Sequence, residues 1–402
     1  MKRILFVTPY NPFNVPRGAA SQSVFYRLSH LSPIAEVHVV TFATSASPPA
    51  EGRIFPNISA HLVPHPPYGE DNPSFGARIR RLLSGRLALF SRMDVLSRAL
   101  GRKIEAVTAD KTFDLIHIDD VIIAPVIAHC PKNIKKIFFF HNVLTNQYRN
   151  IYRGRRNPWA YLAAYLEYLH IRRYEKRILQ DIETAVVLTA EEAALARGLN
   201  PRARIVEIPL EIDTQEYIPH PEKVVENRLV MTGTMSYDPN HEGAVYFIKK
   251  ILPLIRLEVP AATFWAVGMN PRPELLALKG DGVVITGRVA DIREEMNKAA
   301  VIVVPLLAGG GMRFKILEAF ALAKAVVSTP VGAEGISYTD GWDIIIARSD
   351  RDFAREVCGL LKNPDKALAL GENARRLVLE GYDSAVVGSR WQKIYLEEGP
   401  DS

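Results

Sequence analysis

The chain has 402 residues, 48% of them hydrophobic and 23% charged. That excludes a disordered chain and, by length, a single ordinary core, so two domains are expected. The net charge of +6 is unevenly shared: residues 1–222 carry 28 basic against 21 acidic side chains (+7), residues 223–402 carry 22 against 23 (−1), and the first half is expected to meet something negative.

No apolar run approaches the roughly 20 residues that cross a bilayer, and the short apolar patch in MKRILFVTPY reads as a buried strand, not a leader. Cys130 and Cys358 fit no metal or redox spacing and read as buried thiols of a reducing cytoplasm. Residues 3–8 form that first strand, and the prolines and Gly18 of residues 9–18 forbid helix. Residues 19–31 have helical periodicity, with Val24, Leu28 and Leu31 on one face. RGAA at 17–20 therefore opens a helix directly after a strand. It is either a plain connection or the wall of a ligand site, because doubly wound sheets bind ligands at the C-terminal ends of their strands. A strand at 36–41 is followed by Pro- and Ser-rich residues 45–73, irregular by composition.

Residues 75–107 read as a helix in which Arg78, Arg80, Arg81, Arg86, Arg92, Arg98, Arg102 and Lys103 interleave with apolar side chains. It is either an ordinary solvated helix or one lying on an anionic membrane. Strands at 113–118 and 136–140 deliver Asp119–Asp120 and His141–Asn142 to one edge of a parallel sheet. His141 is either a core histidine or a ligand-facing group, and its strand-end position points to the second. RNIYRGRR at 149–156 and a helix at 161–179 form a second basic and aromatic tract. A strand at 185–188 leads into Thr189–Glu192, a capping-box pattern, and a last strand at 205–208 precedes a linker at 209–221.

The second half begins a fresh sheet: a strand at 229–232 ending on Gly233, a helix at 243–259, strands at 263–267 and 283–286, and a helix at 291–299. Residues 300–335, AVIVVPLLAGGGMRFKILEAFALAKAVVSTPVGAEG, then read as strand, glycine-rich loop, helix and strand. Gly309, Gly310 and Gly311 let the backbone approach a ligand, and the free N–H groups of a helix opening at Met312 favour an anion, most often a phosphate. Arg313 and Lys315 put positive charge in the first turn, where helix electrostatics prefer acids. Glu318, one turn after Lys315, is placed either to accept hydrogen bonds from sugar hydroxyls or to form a solvated ion pair with Lys315. Residues 353–395 are helical.

Taken together the chain resembles retaining glycosyltransferases of the GT-B architecture, in the family 4 type of bacterial cell-surface sugar transferases. The resemblance spans nearly the whole chain. VVPLLAGGGMRFKILEAFALAKAVVSTPVGAEGI and GTMSYDPNHEGAVYFIKKILPLIR carry most of it, with GMNP at Gly268, TGRVAD at Thr286, FFHNV at Phe139 and IRRYEKRIL at Ile171 in support. It implies an α/β fold of two Rossmann-like domains facing across a cleft, residues 1–212 for the acceptor and 213–380 for the nucleotide sugar, with a last helix at 381–402 crossing back to the first. It further implies that Glu318 contacts the donor ribose, that Arg313 and Lys315 neutralise the diphosphate, and that Gly309–Gly311 sits beside the sugar. His141 would face the reacting sugar, Gly18 would border the cleft, Gly233 would close the first strand of the donor domain, and Ala333 and Glu334 would line the nucleotide.

The substrates implied are a UDP- or GDP-sugar and a glycan or lipid-linked acceptor, with no separate cofactor, no metal and no nucleic acid. The protein would be cytoplasmic, with peripheral contact to the anionic inner membrane. Three departures stand out: Gly310 occupies the place of the first of two glutamates spaced by seven residues, GTMSYDPNHEG lacks the Arg and Lys many relatives carry there, and the linker reads PLEID where an Asn-Gly pair is common. They leave two alternatives, a non-catalytic nucleotide-sugar-binding partner and a GT-B nucleotide-sugar epimerase.

Overall fold

A computed structural model describes residues 1–13, 19–43, 55–66, 88–153, 157–309 and 311–397. Gly18, Gly310 and the arginines at 78, 80, 81 and 86 lie outside them. The chain divides into two compact units, Met1–Pro209 with the chain end from Gly388, and Leu210–Val387.

In the first unit β1 (Lys2–Val7), β2 (Ala35–Phe42), β3 (Ile58–Val63), β4 (Leu115–Asp119), β5 (Lys135–Phe139), β6 (Thr184–Val187) and β7 (Arg204–Glu207) form a parallel sheet in the order β3-β2-β1-β4-β5-β6-β7. Strands buried on both faces need continuous apolar runs, and LFV, VVTF and IFF supply them. Helices α1 (Ala19–Leu31), α2 (Ala88–Asp110), α3 (Leu144–Arg153), α4 (Pro158–Ile178) and α5 (Ala190–Leu199) accompany it. β3 corrects the expectation of irregular structure over 45–73. It is an edge strand with only its end residues Ile58 and Val63 buried, so its apolar pattern is too thin to stand out beside the flanking prolines.

α2 decides between the two readings of its apolar stripe. Met93, Leu96, Leu100, Ile104 and Val107, three or four residues apart, are buried in the core of this unit, so that apolar stripe is not available to a membrane. Arg92, Arg98 and Arg102 are on its exposed side. Such spacing serves a core or a membrane equally well, and only the tertiary contacts separate the two.

In the second unit β8 (Arg228–Thr232), β9 (Thr263–Val267), β10 (Val283–Gly287), β11 (Val301–Val304), β12 (Val326–Ser328) and β13 (Ile345–Ile346) form another parallel sheet, ordered β10-β9-β8-β11-β12-β13. α6 (Asp238–Tyr246) continues through a π turn (Phe247–Ile251) into α7 (Leu252–Glu258). The wide turn precedes Pro253, which has no N–H to give the helical ladder. α8 (Pro273–Leu276), α9 (Ile292–Asn297), α10 (Phe314–Ala321), α11 (Asp350–Lys362), α12 (Pro364–Gly381) and α13 (Ser384–Leu396) complete the unit, the last helix passing into the first unit at Gly388.

The division falls at different residues from those the sequence suggests, for a visible reason. The Ile212 N–H donates to Tyr382 O at 2.9 Å and the Ser384 N–H to Ile212 O at 2.9 Å, which knits the start of the linker to the segment between α12 and α13 within the second unit. Beyond Gly388, Trp391 and Tyr395 are buried in the first unit, where the Tyr395 hydroxyl meets His117 Nδ1 at 2.8 Å. Both sheets reverse their winding beside their first strand, at β1/β4 and β8/β11. These switch points are where open parallel sheets hold ligands.

Candidate active site

At the β8/β11 switch point the described glycines of the motif adopt conformations that L side chains avoid. Gly233 has φ 145°, Gly309 φ 134° and Gly311 φ 76°. A Cβ on Gly233 would stand 2.6 Å from Asn240 Nδ2 and 3.0 Å from Lys315 Nζ, and one on Gly309 would stand 2.6 Å from an Arg313 nitrogen. The bare backbone is what lets both cations lie against the loop ends. These positive φ values also delay the helix. α10 starts at Phe314, two residues later than expected, with Arg313 as its N-cap and no side-chain capping bond.

Lys315 Nζ donates to Asn240 Oδ1 at 2.6 Å, and Asn240 Nδ2 donates to Thr234 O at 3.0 Å. Lys315 is thereby held over the end of β8. Arg313, buried, donates to Val331 O at 3.4 Å and lies 4.0 Å from Glu334. Ala333 is buried in the short turn Val331–Ala333 beside it. Glu318 accepts a 2.8 Å hydrogen bond from the hydroxyl of Tyr217, whose carbonyl in turn accepts from Arg375 at 2.9 Å. The structure thus brings Gly233, Gly309, Gly311, Arg313, Lys315, Glu318, Ala333 and Glu334 to one edge of one sheet.

The charges there are far from rest. Burial, then the neighbouring Arg313, pulls the Lys315 ammonium down to about 7, with Glu318 acting the other way. Burial pushes the Glu318 carboxyl up to about 7, against the pull of Tyr217, Lys315 and Arg293. Burial also lowers Arg313, with Glu334 opposing it. Two desolvated cations side by side gain from an anion, and a diphosphate delivers its charge where theirs is least stable.

The first unit centres on Asp119, fully buried at the end of β4. Thr8 Oγ1 donates to its Oδ2 at 2.8 Å, Arg27 lies 2.7 Å from its Oδ1, and His141 Nε2 stands 3.3 Å from the same oxygen. Burial alone would push this carboxyl up, but Arg27 and then His141 outweigh it and hold it well below the usual carboxylate range. The Arg27 guanidinium is itself buried, 4.2 Å over the ring of Phe139 and 5.3 Å from that of Trp391.

His141 keeps 14% of its side chain open, and its ring meets Tyr10 edge-on at 5.3 Å and Phe139 at 4.7 Å. With Nε2 turned to Asp119, Nδ1 is the nitrogen free to meet a ligand. The backbone after it is pinned by two carboxylates. Glu192 accepts from Val143 N at 3.1 Å, while Glu175 accepts from Leu144 N at 2.6 Å and Thr145 N at 3.0 Å. Burial pushes Glu175 up to about 7. Glu192 fulfils half of the expected capping box: its N–H donates to Thr189 Oγ1 at 3.1 Å, while its carboxylate goes to Val143 and Leu188 instead of Thr189.

Tyr217, Asn240, Arg27 and Glu175 escape a reading by motif. Asn240 and Glu175 do lie inside the motif segments DPNHEG and IRRYEKRIL, which are the only local signal for them.

Comparison with known proteins bears on the fold and on the second unit. Residues 226–363, which hold the β8/β11 site, match the family described as Glycosyl transferases group 1. Over 98% of both chains the structure superposes on sucrose-phosphate synthase from Thermosynechococcus elongatus with a TM-score of 0.74 at 16% identity. HepE of Anabaena, solved in complex with UDP-glucose, superposes over 98% of this chain and 99% of its own with a TM-score of 0.66 at 13% identity. In sequence, an uncharacterized 44.6 kDa protein in the cps region of Klebsiella pneumoniae is 21% identical over 311 residues, 75% of this chain and 78% of the relative. The two sheets and their helices have the GT-B fold of these structures.

Proposed function

We propose that the protein transfers a sugar from a nucleotide-sugar donor, held by the second unit, to a hydroxyl of a glycan or lipid-linked acceptor brought by the first. The observation that carries this reading is the pair of desolvated cations, Arg313 and Lys315, packed against glycine backbone at the open start of a helix. When the glycosyl–phosphate bond breaks, its electron pair stays on the diphosphate. Arg313, Lys315 and the first-turn N–H groups stabilise that charge without a metal. Glu318, steadied by Tyr217, accepts from the donor ribose. The acceptor oxygen bonds to the anomeric carbon on the face the diphosphate leaves, giving retention, and its proton passes to the departing phosphate oxygen. A UDP donor is supported by the UDP-glucose in HepE. A role in cell-envelope polysaccharide or glycolipid synthesis is supported by the cps-region relative. Cytoplasmic chemistry agrees with two buried free thiols.

The test is calorimetry with UDP and GDP. Arg313→Ala and Lys315→Ala are each expected to weaken the preferred diphosphate by about 1.5–3 kcal/mol, the worth of a charge-assisted hydrogen bond, with the fold intact. Wild-type affinity should fall as pH rises above about 7, where Lys315 loses its proton, and the Lys315 variant should lack that slope. Unchanged affinity in both variants moves the donor site elsewhere.

A lipid-linked acceptor has its own support. On α4, Trp159 is 80% exposed, and Tyr161, Leu162 and Tyr165 are exposed beside it. Arg172, Arg173 and Lys176 are exposed further along the same helix. Trp and Tyr settle at the headgroup level of bilayers, and each nearby cation adds roughly 1 kcal/mol on an anionic surface. Among the described residues no helix is long and apolar enough to cross a membrane, so this contact is peripheral. Co-sedimentation should show binding to anionic but not neutral vesicles, weakened by salt and by Trp159→Glu with Tyr165→Glu. Equal partitioning onto both, or onto neither, removes the membrane from the reading.

A further inference from the structure

At the opposite edge of the second sheet from the cations lies a cavity of about 530 Å³. Asn227, Ala300 and Ala325, which line it, each immediately precede a strand, β8, β11 and β12, so it opens at the N-terminal strand ends. Gly233, Gly309 and Ala333 mark the C-terminal ends. Most of its wall is apolar, with Leu322 from the C-cap of α10, Leu361 from α11 and Leu368 from α12.

One group in that wall is costly where it stands. Lys324 is 5% exposed, and Nζ donates to Asn297 O at 2.5 Å and Ala299 O at 3.2 Å. Both partners are neutral carbonyls, and the third N–H makes no hydrogen bond among the described residues. An ammonium out of water without a carboxylate in contact is incompletely compensated, and burial pulls it down to about 8. Arg375 also lines the cavity, with its guanidinium donating to Tyr217 O, and three acids, Glu226, Asp365 and Glu372, line it from exposed positions. Acids outside and an ammonium within disfavour a multiply charged nucleotide or sugar phosphate. They suit a single carboxylate on an apolar body, whose head reaches Lys324 while its chain covers the leucines.

We infer that this cavity is a second ligand site, separate from the donor site, which takes a small amphiphilic monocarboxylate with its head on Lys324. The inference stands on the second unit alone and does not require that the donor reading hold.

Octanoate, octan-1-ol and octylammonium serve as probes of the full-length protein by titration calorimetry, with and without saturating UDP. Octanoate should bind at least 10-fold tighter than octylammonium and tighter than octanol, with an affinity unchanged by UDP. Ala367→Trp, which fills the cavity from a partly exposed position on α12, should weaken octanoate at least 10-fold. Lys324→Met should erase the preference for octanoate over octanol. Because Lys324→Met also strands two carbonyls, Ala367→Trp keeps the test decisive if that variant fails to fold. The inference is overturned by octylammonium binding as well as octanoate, by displacement of octanoate by UDP, by full binding to Ala367→Trp, or by no octanoate binding at millimolar concentration. Failure of UDP to bind anywhere would sink the donor reading and leave this one standing.

Discussion

Asp119→Asn is expected to cost the protein about 3–5 kcal/mol of stability at neutral pH, the typical penalty for removing one partner of a buried ion pair. The substitution keeps the shape and deletes the charge. Arg27, 1% exposed, is then left buried with only aromatic faces and a neutral amide for company. Urea denaturation should show a lower midpoint with an unchanged slope. The pH dependence carries a second signature. Because the folded carboxyl is held well below its ordinary value, its contribution is complete above about pH 4 and is lost as pH falls towards the folded value. The gap between wild type and variant should therefore be widest near neutrality and narrow below pH 4. His117, lowered to about 4 mainly by burial and against the pull of Asp119, destabilises both proteins as pH falls below about 6.5, where the unfolded chain gains a proton. A loss below 1 kcal/mol at pH 7 would mean that stacking on Phe139, and not Asp119, holds Arg27 in place.

Asp119 also shows where reading the chain stops. A run such as FDLIHIDD reports a strand and the polar residues at its end, because buried parallel strands need uninterrupted apolar residues and stop where polar ones begin. All but the edge strands β3 and β13 of the two sheets were legible on that basis, as was the cluster of Gly309, Gly311, Arg313, Lys315 and Glu318, whose members are neighbours in sequence. Less legible were groups whose partners are distant along the chain. Arg27 meets Asp119 from a helix read only for its Val24–Leu28–Leu31 face, and Tyr217 reaches Glu318 across 101 positions. Glu175 looked like one more charge on a basic helix, yet it holds the first amides of α3. The stripe on α2 failed differently: its period was right, and nothing local distinguishes a core from a bilayer.

One tension that the sequence raised concerns the loop after β8. GTMSYDPNHEG lacks the cations many relatives carry there, and the structure gives that loop another task. Its Asn240 accepts from Lys315, so a cation from α10 is brought to the end of β8. Tethering by a neutral amide leaves the ammonium's charge uncompensated, and an anionic ligand remains the stronger partner.

His141→Ala is expected to lower turnover by on the order of 10²-fold while leaving diphosphate affinity within about twofold, the pattern for an interaction made mainly in the transition state. The expectation rests on orientation. Asp119 holds Nε2, Tyr10 and Phe139 flank the ring, and Glu192 and Glu175 fix the backbone just beyond. A side chain so constrained costs little further entropy when it meets substrate. The diphosphate, in contrast, is expected on the second unit, so ground-state binding of UDP should not register the loss. Steady-state kinetics with a UDP-sugar, paired with UDP calorimetry and a melting curve, separates the outcomes. Equal losses in turnover and UDP affinity would make His141 part of donor binding. Wild-type turnover with intact folding would make it a rim histidine whose bond to Asp119 serves Arg27 alone. His141→Gln, which can still reach Asp119, should retain more stability than His141→Ala but recover little turnover, because its amide cannot keep one nitrogen on Asp119 and present an imidazole nitrogen on the other side of the ring.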